Sequence, residues 1–330
     1  MEEKNIMVSI CCITYNQEKY IKDAIEGFLM QKTNFLFEII IHDDASTDKT
    51  ADIIREYQQK YPDKIRTILQ KENQYKKGVR NSYTVFKEAK GKYIAFCEGD
   101  DYWIDENKLQ KQVNYMEEHE DCTFCFHNAE VFYQKQNKKE IFLSKHRNDK
   151  IFFTVDNKYN IGNIHLLGFG SAPTASFMFR TENIKKLPEF YFKAFCGDMP
   201  LKLIMTSFGY AYYIEDIMSV YRRETGISMT EKWKQENKNT EKAIEREKKT
   251  IKILDDVDKF TNYKYKDGIK LEKSMYELEI FLLQEKYREI WKNKNYKKMY
   301  KLKHNDKFLI KLFIKTYFNN IYKFLKKTRK

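Results

Sequence analysis

Glycine and proline are scarce, with 11 and 4 copies in 330 residues. That excludes a collagen-like or linker-rich design. Histidine is scarce too, at 6 copies. His42, His127 and His165 have no partner at metal-ligand spacing, so they read as core or surface histidines. Cysteine is limited to Cys11, Cys12, Cys97, Cys122, Cys125 and Cys196. Cys122-Thr-Phe-Cys125 has CxxC spacing, but no second Cys or His pair completes a zinc site. Buried reduced thiols are expected, not a disulfide framework. No window approaches the ~18 apolar residues that span a bilayer. The start, Met1-Glu-Glu-Lys-Asn-Ile, is not a signal peptide. A cytoplasmic protein, soluble or peripheral on the inner face of the membrane, is expected.

What is present is a large core-forming fraction: 42% hydrophobic and 15% aromatic residues. The net charge of +13 is unevenly placed. Residues 231–330 hold 29 Lys/Arg against 15 Asp/Glu, and residues 291–330 hold 14 against one, Asp306. The body before 231 is almost neutral. A domain over 1–230 with a helical, lysine-rich extension over 231–330 is therefore expected.

Along the body, apolar β-branched runs alternate with helical patterns. Val8–Thr14, Phe37–His42, Ile65–Leu69 and Tyr93–Cys97 read as buried strands. Lys19–Gln31, a segment from Ser46-Thr47-Asp48 to about Tyr61, Asn81–Ala89 and Glu106–Glu118 read as helices. Thr123–Tyr133 with Ile141–Phe142 suggests a hairpin. Ala175–Arg180 and Ile217–Tyr221 suggest strands, and Asp198–Ser207 a helix. The rhythm specifies an α/β fold with a largely parallel sheet sandwiched by helices. Such sheets bind ligands beyond the carboxyl ends of their strands. Thr14-Tyr15-Asn16, Asp43-Asp44 and Glu98–Asp101 all lie at such ends.

Glu98, Asp100 and Asp101 fall within four residues, around Gly99, read as allowing a sharp turn. Like charges this close repel unless a cation neutralises them. Hard oxygen ligands in an incomplete set suit Mn²⁺ or Mg²⁺, with phosphate oxygens completing the shell. Taken alone, the cluster suits a solvated acidic turn equally well. Asp43 and Asp44 end an otherwise apolar strand. They could accept hydrogen bonds from a nucleoside, or cap the next helix.

In order and at typical spacing, VSICCITYN (8–16), FEIIIHDDASTDKT (37–50), Asn73…Gly78…Asn81, GKYIAFCEGDDYW (91–103), KLQKQV (108–113), APTASFMFR (172–180), Gly197-Asp198-Met-Pro-Leu201 and SVYRRETGIS (219–228) resemble the inverting family 2 glycosyltransferases of the GT-A fold. The resemblance covers about residues 6–228. It implies a nucleotide-sugar half over about 1–120 and an acceptor half over about 121–230. It places Thr14 and Tyr15 beside the base, Asp44 on uracil with Asp43 in the same turn, Arg80 near the base, Asp100 at the ribose and metal, and Asp101 on the metal. Glu98 stands where the family commonly has Asp. Asp198 matches the catalytic base. Where many relatives read Tyr-Arg-x-His-Gly, this chain reads Tyr221-Arg222-Arg223-Glu224-Thr225, so Arg222 or Arg223 is left to supply charge to the diphosphate.

The expected reaction is inverting transfer of a sugar from a nucleotide sugar, UDP favoured, to a hydroxyl of a glycan or lipid-linked acceptor in cell-surface polysaccharide synthesis. Asp198 would take the acceptor's proton and a metal ion would stabilise the leaving diphosphate. As an N-cap, Asp198 would have an equally simple role. Trp103 and Tyr102 read as sugar-stacking or as packing residues at a helix start. Residues 307–327 place Lys307, Lys311 and Lys315 at helical spacing. A basic amphipathic helix of this kind suits an anionic membrane surface, or packing on a protein. No nucleic-acid motif accompanies the charge, so nucleic acid is not expected. A homo-oligomer stays open. Two alternatives are a sugar-phosphate nucleotidyltransferase, which should carry a glycine-rich loop after the first strand, and a non-catalytic membrane-associated adaptor.

Overall fold

The computed structural model describes residues 5–143, 154, 156–161, 172–226, 228–304, 313, 316 and 317. His165 and most of 307–327 lie outside them. The chain divides into two compact units, Met1–Lys232 and Trp233–Lys330.

The first unit is built on a ten-stranded sheet. Its strands are β1 (Ile6–Thr14), β2 (Leu36–Asp43), β3 (Ile65–Leu69), β4 (Tyr93–Glu98), β5 (Tyr102–Trp103), β6 (Cys122–Tyr133), β7 (Lys138–Ile141), β8 (Lys158–Tyr159), β9 (Met178–Arg180) and β10 (Tyr210–Arg223). The order is β3-β2-β1-β4-β9-β6-β10-β5, with β7 on β6 and β8 on β10. The long ladders, β1 with β2 and β4, β2 with β3, and β6 with β10, are parallel. The antiparallel ladders are short. Helices α1 (Ile21–Leu29), α2 (Thr50–Lys60), α3 (Asn81–Phe86), α4 (Lys108–Glu118), α5 (Glu189–Lys193) and α6 (Asp198–Ser207) connect them, and α7 (Met229–Glu236) follows β10 in the chain.

Strand alternation explains why helices cover both faces. Val8, Ile10, Cys12, Ile39 and Ile41 join one buried cluster with Ile21, Ile25 and Phe28 of α1, Ile54 of α2 and Leu109 of α4. The intervening residues turn the other way, and the Cys11 thiol reaches the Val85 carbonyl of α3. Each fully buried aliphatic side chain of this kind contributes roughly 1.5–3 kcal/mol. All six cysteines are buried, unpaired thiols.

Three sequence expectations change. Tyr102-Trp103 does not start a helix. It is a short strand held by Ser219 and Val220, and it brings the end of β10 against the acidic turn. β10 begins at Tyr210, well before Ile217, and its register shifts at 214–219 interrupt the alternation. The helix expected from Ser46 starts at Thr50, and its N-cap, Lys49, makes no side-chain cap.

In the second unit, α8 (Thr240–Phe260) packs on α9 (Lys266–Leu283). Asn239 caps α8, its side chain accepting from the Glu241 and Lys242 N–H groups. Leu278, Tyr287, Ile290, Met299 and Tyr300 form a small core of α9, α10 (Tyr287–Lys292) and α11 (Lys294–His304).

Candidate active site

The carboxyl ends of β1, β2 and β4 lie side by side, with Thr14 paired to Asp43 and Ile13 to Glu98. Two loops there are stapled together. The N–H groups of Asn16, Gln17 and Glu18 donate to Ser46 Oγ (2.8 Å), Thr50 Oγ1 (2.8 Å) and Asp48 Oδ2 (3.1 Å). The small polar residues before α2 therefore cap the neighbouring loop as well as their own. Asn16 and Ala45 adopt left-handed backbone, φ 53 and 59. For Ala45, which lacks glycine's freedom, that is strained geometry stored in the site.

Asp43 accepts from Ser46 N–H (3.0 Å) and hydroxyl, a local cap. Asp44 is buried. Its oxygens accept the Gln74 (2.7 Å) and Tyr75 (3.1 Å) N–H groups. Its visible task is to hold the 74–75 turn against β2. Tyr15 is exposed at the loop surface, while Thr14 is buried with its hydroxyl unpartnered.

Gly99 does not have left-handed backbone; it is room that the turn needs. A Cβ there would lie 2.6 Å from Gln17 Oε1 and 3.0 Å from Thr14 Cβ. The three acids around it have different neighbours. Thr174 lies close to Glu98 and Gln17 close to Asp100, while Asp101 Oδ1 accepts the Arg222 N–H at 2.9 Å. Burial raises all three carboxyls, Glu98 to about 8. Asp100 and then Asp198 add to the rise at Glu98, and Asp100 and Glu98 to that at Asp101. Asp198, the first residue of α6, is therefore near enough for its charge to act on Glu98.

A cation fits this site in part. Asp101 Oδ2 is buried without a hydrogen-bond partner, and the surrounding acids leave excess negative potential. Among the described residues, however, no three His, Cys, Asp or Glu side chains group closely enough to hold a metal ion. Of Glu98, Asp100 and Asp101, Asp101 is the one that offers a buried, unpartnered oxygen. An ion here would take Asp101 and complete its shell with oxygens from outside the protein.

The arginines divide. Arg80 donates to the carbonyls of Tyr191 (3.2 Å) and Ala194 and lies over the Tyr191 ring. It pins the segment leading to Asp198. Gly197, at φ −102, leaves space for it, since a Cβ would meet Arg80 Nη1 at 3.3 Å. Arg222 is buried in contacts with Asp100, Asp101 and Asp23. Arg223 rests against the Tyr133 and Tyr221 rings, and its Nε is unpartnered.

Several residues were missed in the sequence. Tyr20 donates to Gln134 Oε1 (2.9 Å) and the Thr225 carbonyl (3.3 Å). Glu224 is left-handed at φ 65, bonds Gln136, and keeps Oε2 buried and unpartnered. Its strained backbone is the signal, and it appears only in three dimensions. Trp103 is a packing residue: it meets Phe28 edge-on, donates to the Ala175 carbonyl (2.8 Å), and carries Lys108 over its ring.

This sheet, with its acidic strand ends, defines the GT-A class of fold, and known proteins agree. Among solved structures, S. aureus TarS residues 1–349 in complex with UDP superposes with TM-score 0.57 at 17% identity, covering 86% of this chain and 78% of that one. The mannosyltransferase PcManGT of Pyrobaculum calidifontis, in complex with GDP-Man and Mn²⁺, gives 0.57 at 14% identity, covering 95% and 88%. At these identities the likeness is one of fold. Residues 9–180 match the family described as "Glycosyl transferase family 2", and the chain belongs to that family. An uncharacterized protein of Mycobacterium tuberculosis is 48% identical over 136 residues, 41% of this chain and 38% of its own length. The putative teichuronic acid biosynthesis glycosyltransferase TuaG of Bacillus subtilis is 34% identical over 137 residues, 42% of this chain and 52% of its own length. The Escherichia coli protein named UDP-Glc:alpha-D-GlcNAc-diphosphoundecaprenol beta-1,3-glucosyltransferase WfaP is 40% identical over 112 residues, 34% and 41%. The chain thus spans about half, or less, of these relatives.

Proposed function

We propose that the protein transfers a sugar, with inversion, from a nucleotide sugar to a hydroxyl of a glycan or lipid-linked acceptor in cell-surface polysaccharide synthesis. The observation that carries this reading is the acidic turn at the adjoining carboxyl ends of β1, β2 and β4, where Asp101 keeps a buried, unpartnered oxygen and the charge of Asp198 reaches Glu98. Family membership supports it. So do relatives named for teichuronic acid synthesis and for UDP-glucose transfer to a diphosphoundecaprenol acceptor. A fold shared with proteins solved with UDP and UDP-GlcNAc agrees with a UDP-sugar donor.

Residues 1–120 would hold the donor, with Thr14 and Tyr15 beside the base and Asp44 shaping its pocket through the 74–75 turn. Residues 121–230 would present the acceptor. Asp198 takes the proton of the acceptor hydroxyl as its oxygen attacks the anomeric carbon and the bond to the diphosphate breaks. Arg223, not Arg222, is the cation available to the departing phosphates. A bound Mn²⁺ or Mg²⁺, held at Asp101 with the aid of Asp100 or Glu98, would neutralise charge on that leaving group; the fold is shared with a protein solved with Mn²⁺.

The test is a panel of nucleotide sugars assayed for nucleoside diphosphate release with and without Mn²⁺, followed by the anomeric configuration of the product by NMR. Asp198→Asn is expected to lower kcat by about 10²–10⁴-fold while UDP binding persists. Undiminished turnover, or a product with retained configuration, would overturn the assignment.

A further inference from the structure

Arg222 is 5% exposed and sits beside three carboxylates. Its contacts are all to the protein's own frame. The backbone N–H donates to Asp101 Oδ1 at 2.9 Å, and Nη1 donates to the Asp100 carbonyl at 2.9 Å. Nη2 pairs with the Asp23 carboxylate of α1. The guanidinium lies 4.2 Å from the Tyr102 ring centroid and 5.3 Å from that of Tyr20. One residue of β10 therefore grips the 100–101 turn through main chain and side chain together, and hooks it to α1.

The grip has a chemical consequence. With Oδ1 engaged, the Asp101 carboxylate cannot rotate freely, and Oδ2 is the oxygen left over, buried and unpartnered. An arginine held at once by an aspartate, a carbonyl and two rings, its own side chain buried, is poorly placed to exchange them all for a transient ligand.

We infer that Arg222 is a positioning residue that fixes Asp101 for a divalent ion, and that it does not bind the donor diphosphate. The inference rests on the metal-dependent transfer proposed above. Groups that orient a metal ligand typically govern metal affinity by about 10–100-fold, whereas a diphosphate ligand would act on donor affinity.

The full-length chain and its Arg222→Lys and Asp23→Asn variants would be titrated with Mn²⁺, reading free Mn²⁺ by electron paramagnetic resonance with and without UDP. Donor KM would be measured at saturating Mn²⁺. Arg222→Lys is expected to weaken Mn²⁺ binding at least about tenfold and to leave donor KM essentially unchanged. Asp23→Asn, altering a side chain 52% exposed on α1, should shift Mn²⁺ binding in the same direction by less. A raised donor KM with unchanged Mn²⁺ binding makes Arg222 a diphosphate ligand and overturns the inference, as does no change in either. If Arg222→Lys melts below the assay temperature, Asp23→Asn decides by the same two readouts. A wild-type chain that releases UDP but binds no Mn²⁺ overturns the inference and the metal together, leaving glycosyl transfer standing.

Discussion

Lys108 is fully buried, its ammonium 3.9 Å from the Trp103 ring centroid and 2.7 Å from Gln112 Oε1. Burial pulls its pKa down to about 7, partly opposed by Cys97, Cys125 and Asp105. The folded value lies below the unfolded one, so between about pH 7 and the ordinary lysine range near 10.4 the unfolded chain binds the extra proton. Stability should climb as pH rises through that window, and the burial penalty is fully felt below it. From pH 7 to 9 the gain is expected to be about 2 kcal/mol. Urea unfolding at the two pH values, in wild type and Lys108→Met, checks this: the variant should lose most of that slope. At this scale the sequence revealed which residues are chemical but not what they touch. Asp44 and Arg80 are expected at the nucleotide only through the family resemblance, and nothing in the sequence signals that one also holds the 74–75 turn and the other the segment before Asp198. Arg222 and Asp23 lie 199 positions apart, and no local pattern announces such a pair.

Elements with a regular period were legible. Ile65–Leu69 and Asp198–Ser207 stand where the pattern puts them, as short apolar runs drawn into the core: Ile65 is buried, and so is every residue from Met199 to Thr206. Elements defined by a partner were not. Tyr102-Trp103 is a strand only because β10 passes beside it. Arg180 shows how elements are tied at this level. It ends β9, is buried, and donates to the Cys122 carbonyl (3.1 Å), the Tyr93 hydroxyl (3.1 Å) and the Met116 carbonyl (2.8 Å) at the end of α4. A cation at a helix C-terminus also meets its dipole favourably. Arg180→Met should cost about 2–4 kcal/mol, since several buried acceptors lose a charged donor at once. Chemical denaturation would measure it; a loss below about 1 kcal/mol would show the acceptors finding other partners.

For the whole molecule, the informative quantity is charge placement. Among residues 291–330, 14 are basic and one is acidic. Phe313 and Tyr317, both exposed, lie against Trp291, and Lys297 sits over that indole. No helix among the described residues is long and apolar enough to cross a membrane. We expect the full chain to bind phosphatidylglycerol vesicles and not phosphatidylcholine ones, each engaged lysine contributing about 1 kcal/mol. Raising salt from 0.05 to 0.5 M (roughly a threefold shorter screening length) should release it in a cosedimentation assay. Equal binding to both lipids would refute the electrostatic reading.

The stapling of residues 16–18 by Ser46, Asp48 and Thr50 bears on how this chain can vary. Each of those side chains satisfies an amide that belongs to another loop. A change at Ser46 or Thr50 is therefore felt thirty-odd positions earlier, and its effect will not add to that of a change at Asn16 or Gln17. The two loops should behave as one object, a rim better exchanged as a block than piece by piece.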